Sequence, residues 1–186
     1  MTAFTSETIE SRPWFDMELF MNVSQETRIG GEVMERLMAL WDEWLPQLTV
    51  KTLDTGKIKY LLVWLGEPVE AAVDKLWSES PSTSYMYNAL AQTMCMAAVH
   101  EAIPQIEDAG CAPAPRPTAA LRAALEAEGV PYRNETDPVL SRRYAVVTHY
   151  PFKGGCEICV LQGACPKGQG QSQAASVVLP GYERRQ

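Results

Sequence analysis

The fold turns on the run Ile58-Lys59-Tyr60-Leu61-Leu62-Val63-Trp64-Leu65. It is apolar at nearly every position, so neither strict alternation nor a helical stripe assigns it. Its length fits a buried strand or a buried helix segment equally well. The segments on either side therefore have to decide. On the C-terminal side, Gly66-Glu67-Pro68 marks a break, with Pro68 suited to the first turn of a helix. Val69, Ala72, Val73, Leu76 and Trp77 supply that helix with an apolar face. On the N-terminal side, Asp54-Thr55-Gly56-Lys57 is a turn. Before it, Ile29, Val33, Leu37, Leu40, Trp41 and Trp44 recur at helical spacing, with Ser24 placed to cap and Pro46 to stop the helix.

Helical patterns continue outward. Pro13 to Met21 reads as a short helix after a polar lead-in. Ser78 to Ser84 is a loop, with Ser82 or Ser84 as a cap. The longest apolar helix is expected from about Tyr85 to Asp108, with Leu90, Met94, Ala97, Ala98 and His100 on overlapping faces and Pro104 bending or ending it. Alternating prolines in Ala109 to Pro117 impose an extended linker. Thr118 to Glu128 has strong helix propensity and stops at Gly129. Tyr144 to Tyr150 alternates like a strand, and Ala174 to Leu179 suggests a short last one. The expectation is a mainly α, helical bundle-like domain with a small C-terminal β/loop element carrying a Cys-rich metal loop. Residues 1–12 are expected as a loose lead-in and 13–186 as a single domain. Within it, 13–108 form the helical core, 109–117 the Pro-rich linker, and 118–186 a helix plus the Cys-loop region.

The chain has 186 residues, enough to bury a core without disulfide staples. Sixteen basic residues against 23 acidic ones give a net charge of -7. A nucleic-acid partner wants a basic face to displace counterions, so none is expected; the short pairs Arg142-Arg143 and Arg184-Arg185 are the only clusters. No apolar run reaches the length of a bilayer span, and no signal-peptide pattern is visible. Five Cys under those conditions read as reduced thiols in the cytoplasm rather than as a disulfide framework.

The chemistry is concentrated in Gly154-Gly155-Cys156-Glu157-Ile158-Cys159-Val160-Leu161-Gln162-Gly163-Ala164-Cys165-Pro166. Thiolates are soft ligands suited to zinc and to iron–sulfur clusters. A Cys-x2-Cys turn aims two sulfurs at one centre, and the loop through Gly163 can return a third. Gly154, Gly155 and Gly163 leave backbone N–H groups open to hydrogen-bond cluster sulfurs. Pro166 directly after the last Cys fits ferredoxin-type usage. An iron–sulfur cluster, of the 4Fe-4S type, is the expected cofactor. Zinc is the alternative, and unmetallated thiols or a disulfide pair are the bland reading.

The Cys-x2-Cys-x5-Cys spacing resembles the cluster loops of the endonuclease III-like glycosylases and of the RecB-type nucleases with an iron staple, including those of CRISPR adaptation. The resemblance covers Cys156 to Cys165 alone. It implies a cluster type with a fourth, upstream Cys and carries no enzymatic function. In the glycosylases that Cys lies seven positions before the trio, where this chain has His149. Neither a helix-hairpin-helix with catalytic Lys and Asp nor a nuclease core is recognisable.

For the fourth ligand, Cys111 ranks first, because a thiol in a Pro-fixed loop has no packing role. His149 ranks second and Cys95 third, the latter sitting mid-helix where a buried, inert Cys is the commoner outcome. His100 on an apolar helix reads more readily as a satisfied rim residue than as a ligand. No phosphate loop, HExxH or GxSxG motif is present. A dithiol redox role for Cys156 and Cys159 lacks its βαβ setting. Three functions remain: an iron–sulfur protein in electron transfer, redox sensing or an accessory role with a protein or redox partner; an iron–sulfur enzyme or small-molecule binder with a pocket beside the cluster; and a zinc-stabilised protein-interaction module.

Overall fold

A computed structural model describes residues 4–135 and 137–165 of the chain. Four strands, β1 (Thr5–Thr8), β2 (Leu48–Asp54), β3 (Lys59–Leu65) and β4 (Ala145–Tyr150), form one antiparallel sheet in the order β1-β2-β3-β4. Six α-helices accompany it among the described residues: α1 (Met17–Ser24), α2 (Gly31–Trp44), α3 (Glu67–Glu79), α4 (Pro81–Ala102), α5 (Gln105–Ala109) and α6 (Ala119–Ala127). The expected mainly α bundle is thus corrected to a mixed α/β fold, and the run that decides it is a strand.

The physical reason lies in the position of β3. It is a central strand covered on both faces. Leu61, Val63 and Leu65 pack into the core built by α1 to α4, while Tyr60 and Leu62 pack into a second core with Leu121, Ala124 and Leu125 of α6. Double burial removes the polar alternation that marks a half-exposed strand. The β2–β3 turn is fixed by Asp54, whose Oδ1 accepts the Gly56 N–H at 2.8 Å, and by Thr55, whose N–H reaches the Ile58 carbonyl at 3.1 Å. Gly56 has φ +81°, a left-handed conformation that favours glycine.

The expected small C-terminal β/loop element is also corrected. β4 is not a separate appendage. It pairs with β3 along its length, from Lys59 opposite Tyr150 to Trp64 opposite Ala145. The polar start of the chain adds the other edge, with Thr8 opposite Lys51.

The helices follow the apolar stripes, with shifts at their ends. Ser24 closes α1 instead of capping α2, which starts after Gly30. α3 carries Pro68 in its first turn and buries Val69 and Val73, but leaves Trp77 62% exposed. α4 starts at Pro81, so Ser82 and Ser84 lie inside it; the buried Ser84 hydroxyl donates to the Val73 carbonyl at 2.9 Å. It stops before Pro104, which removes a backbone donor and opens the short α5. Thr118 caps α6 by accepting the Leu121 N–H at 3.2 Å. The strand expected at Ala174 to Leu179, Pro166 and the Arg184-Arg185 pair lie outside the described residues.

Candidate functional site

The cysteine loop begins where β4 ends. Phe152 packs against the larger core and anchors the start of the loop. Gly154 has φ +143°, and a Cβ there would collide with the Glu157 carboxylate. That carboxylate folds back on its own backbone: Oε1 accepts the Gly155 N–H at 2.9 Å. Glu157's own N–H and that of Gly155 hold its carboxyl below the usual range. The N–H of Gly155, expected to face cluster sulfur, is therefore engaged by Glu157.

Two short 3-10 turns follow, Cys156–Ile158 and Gln162–Ala164. The Cys159 N–H donates to the Cys156 carbonyl at 3.1 Å, Gln162 N–H to Cys159 O at 3.1 Å, and Cys165 N–H to Gln162 O at 3.4 Å. Each Cys thus opens or closes a hydrogen-bonded turn. All three are half-buried, and the loop exposes Val160 and Leu161 at its tip.

The linker carrying Cys111 runs alongside. The Val160 N–H donates to the Ala114 carbonyl at 2.9 Å, and the buried Thr148 hydroxyl of β4 donates to the Pro113 carbonyl at 2.9 Å. Cys111 itself is half-buried, one residue past Gly110, whose φ of +73° ends α5. The structure therefore brings residues 113 and 114 of the linker, β4 and the loop of the trio together at one edge of the sheet.

The other ranked ligands are placed differently. Cys95 is buried in α4, its Sγ against the Tyr144 carbonyl at 3.6 Å, and burial pushes its thiol up to about 12. Tyr144 precedes β4 and the loop follows it, a separation of roughly 20 Å at the usual strand rise. His149 lies on the α6 face of β4, its ring 5.5 Å from that of Tyr60. Burial, and then the Lys153 charge, lower its pKa; its Nδ1 is buried with no hydrogen-bond partner among the described residues. His100, near the end of α4, is half-buried and its pKa is lowered by burial, against the opposing pull of Glu107 and Asp16.

Among the described residues no three His, Cys, Asp or Glu side chains are grouped closely enough to hold a metal ion. This corrects the expectation of a preformed metal loop: the loop contains two 3-10 turns, and its cysteines form no group of three donors. No disulfide joins any of the five cysteines. A single tetrahedral ion does not fit this arrangement as it stands. Thiolate donors are of a type that zinc and iron–sulfur clusters both take. No helix among the described residues is long and apolar enough to cross a membrane.

Reasoning from sequence missed two features of this edge. One is the Val160–Ala114 contact, a backbone bond without side-chain signature. The other is the convergence of Arg133 with Arg142 and Arg143 beside the linker, for which the adjacent Arg142-Arg143 pair was a partial signal. Compared with known proteins, the chain matches no family model, no curated protein and no solved structure.

Proposed function

We propose that the protein is a cytoplasmic iron–sulfur protein whose cluster is held by Cys156, Cys159, Cys165 and Cys111, and that it acts in electron transfer, redox sensing or an accessory role with a redox partner. The observation that carries the reading is the Val160–Ala114 hydrogen bond, which fastens the trio's loop to the segment of Cys111. Thiolates form a soft donor set, and in this reading the linker from another part of the chain supplies the distant ligand. When bound, such a cluster supplies one-electron chemistry at a potential set by hydrogen bonds and exposure. The chain's own part is to hold the thiols, with Glu157 occupying the N–H of Gly155 and the apolar Val160 and Leu161 rimming the loop.

Anaerobic reconstitution with iron and sulfide tests this. The expected product is brown, with broad absorption in the blue that dithionite bleaches; Cys156→Ala, Cys159→Ala and Cys165→Ala each abolish it. Iron uptake by the wild-type chain no greater than by a chain lacking all three would refute the proposal.

A further inference from the structure

A second feature at this edge stands independently of any metal. Between the outer side of β4 and residues 133 and 138–143 lies a cavity of about 300 Å³. The chain builds it with backbone bonds. An isolated β-bridge joins Tyr132 to Leu140, the Arg133 N–H donates to the Val139 carbonyl at 2.8 Å, and the Ser141 N–H to the Pro131 carbonyl at 2.7 Å. In this doubled-back segment Arg133 lies opposite Val139, while Arg142 and Arg143 lead into β4, and all three border the cavity. Val139, Val146 and Val147 give the cavity apolar surface, and Ala114 of the linker closes one side.

Among the described residues three arginines and no carboxylate line the cavity. Two of the guanidinium groups are held from behind: Arg142 donates to Glu67 at 2.8 Å and Arg143 to Asp74 at 2.7 Å, while the Glu70 carboxylate takes the Arg143 backbone N–H at 3.1 Å. Each contact uses part of a five-donor fork, and Arg143 spends a further donor on the Tyr144 side chain. Arg133 has no acidic partner among the described residues. The guanidinium fork matches the oxygens of carboxylates and phosphates, and the volume is at the small end for ligand sites.

We propose that this cavity binds a small organic anion, a carboxylate or phosphate on a compact apolar body. Arg133 is the principal anion partner, Arg142 and Arg143 offer the N–H donors that Glu67 and Asp74 leave, and the valines receive the apolar part.

Titration of the chain as isolated with phenyl phosphate, benzoate and the neutral benzyl alcohol, followed by amide chemical shifts, tests the proposal and separates the two anion types. Saturable shifts at Val139, Val146 and Val147 are expected with at least one anion and not with benzyl alcohol. The exposed-site variant Arg133→Gln should weaken that binding roughly tenfold, the loss of about one charged hydrogen bond, with unfolding unchanged; Arg12→Gln, a cation elsewhere on the surface, should leave it as it is. Failure of both anions to saturate at millimolar concentration, equal binding of the alcohol, or undiminished binding by Arg133→Gln overturns the proposal. None of these outcomes depends on whether a cluster assembles.

Discussion

The amide of Val160 donates to the carbonyl of Ala114 at 2.9 Å, so the residue after Cys159 is tied to a residue three positions past Cys111. Because that bond joins a loop tip to an extended linker, it sets how far apart the two cysteine-bearing segments can drift. Native-state amide exchange should find Val160 protected although its side chain is 38% exposed. Its exchange should be roughly tenfold or more slower than that of Leu161, whose amide has no such acceptor. Equal exchange at the two positions would mean that the tie is not maintained in solution.

Adjacent residues of β3 should be comparably sensitive. Leu61 and Leu62 are both fully buried but in different cores. Leu61→Ala and Leu62→Ala should each cost about 2–5 kcal/mol in urea unfolding, the range for deleting a buried leucine. A helix or a half-exposed strand would spare one of the two.

Cys95 should behave unlike the loop cysteines. Its thiol, pushed up to about 12 by burial, stays protonated at any pH at which the fold is handled. Labelling the native chain with a thiol reagent at pH 8, read by peptide mass spectrometry, should modify Cys156, Cys159 and Cys165 and leave Cys95 intact until denaturant is added.

Acid sensitivity should trace in part to Glu128, which joins the end of α6 to the sheet. Burial raises its pKa, but hydrogen bonds from Lys51, at 2.6 Å, and from Ser6 outweigh that and leave it below the ordinary 4.5. A carboxyl depressed in the folded state stabilises it above the unfolded-state value, and that contribution is lost as pH falls through the folded one. Glu128→Gln should therefore lower stability by about 1–2 kcal/mol near neutrality, a charged hydrogen bond discounted for partial exposure. It should also flatten the decline of the urea midpoint below pH 5.

How far the sequence revealed this depends on what each residue's burial leaves visible. α4 was legible because an apolar stretch from Leu90 to Val99 with few charges has one natural reading, a helix buried on most sides. Tyr144 to Tyr150 was legible because one position in two is polar or small. β3 was not, since cover on both faces erases its alternation. β1 was hidden for the opposite reason: Thr5–Thr8 is exposed at every position and is held to β2 through backbone bonds, which leave no trace in composition. At the candidate site, the spacing of Cys156, Cys159 and Cys165 pointed to the loop, while the backbone bond from Val160 to Ala114 has no signature in the sequence. The loop's 3-10 turns and the capture of the Gly155 amide by Glu157 depend on local backbone angles that spacing does not report.

The central claim is that four thiols, one of them from the linker, share a single cluster. Native mass spectrometry of the chain reconstituted without oxygen weighs it most directly. The account predicts a wild-type mass raised by about four iron and four sulfide, the content of a cubane cluster, with Cys95→Ala loading equally and Cys111→Ala losing iron or failing to load. A wild-type chain at its bare polypeptide mass, or a Cys111→Ala chain loading as fully as wild type, would contradict it.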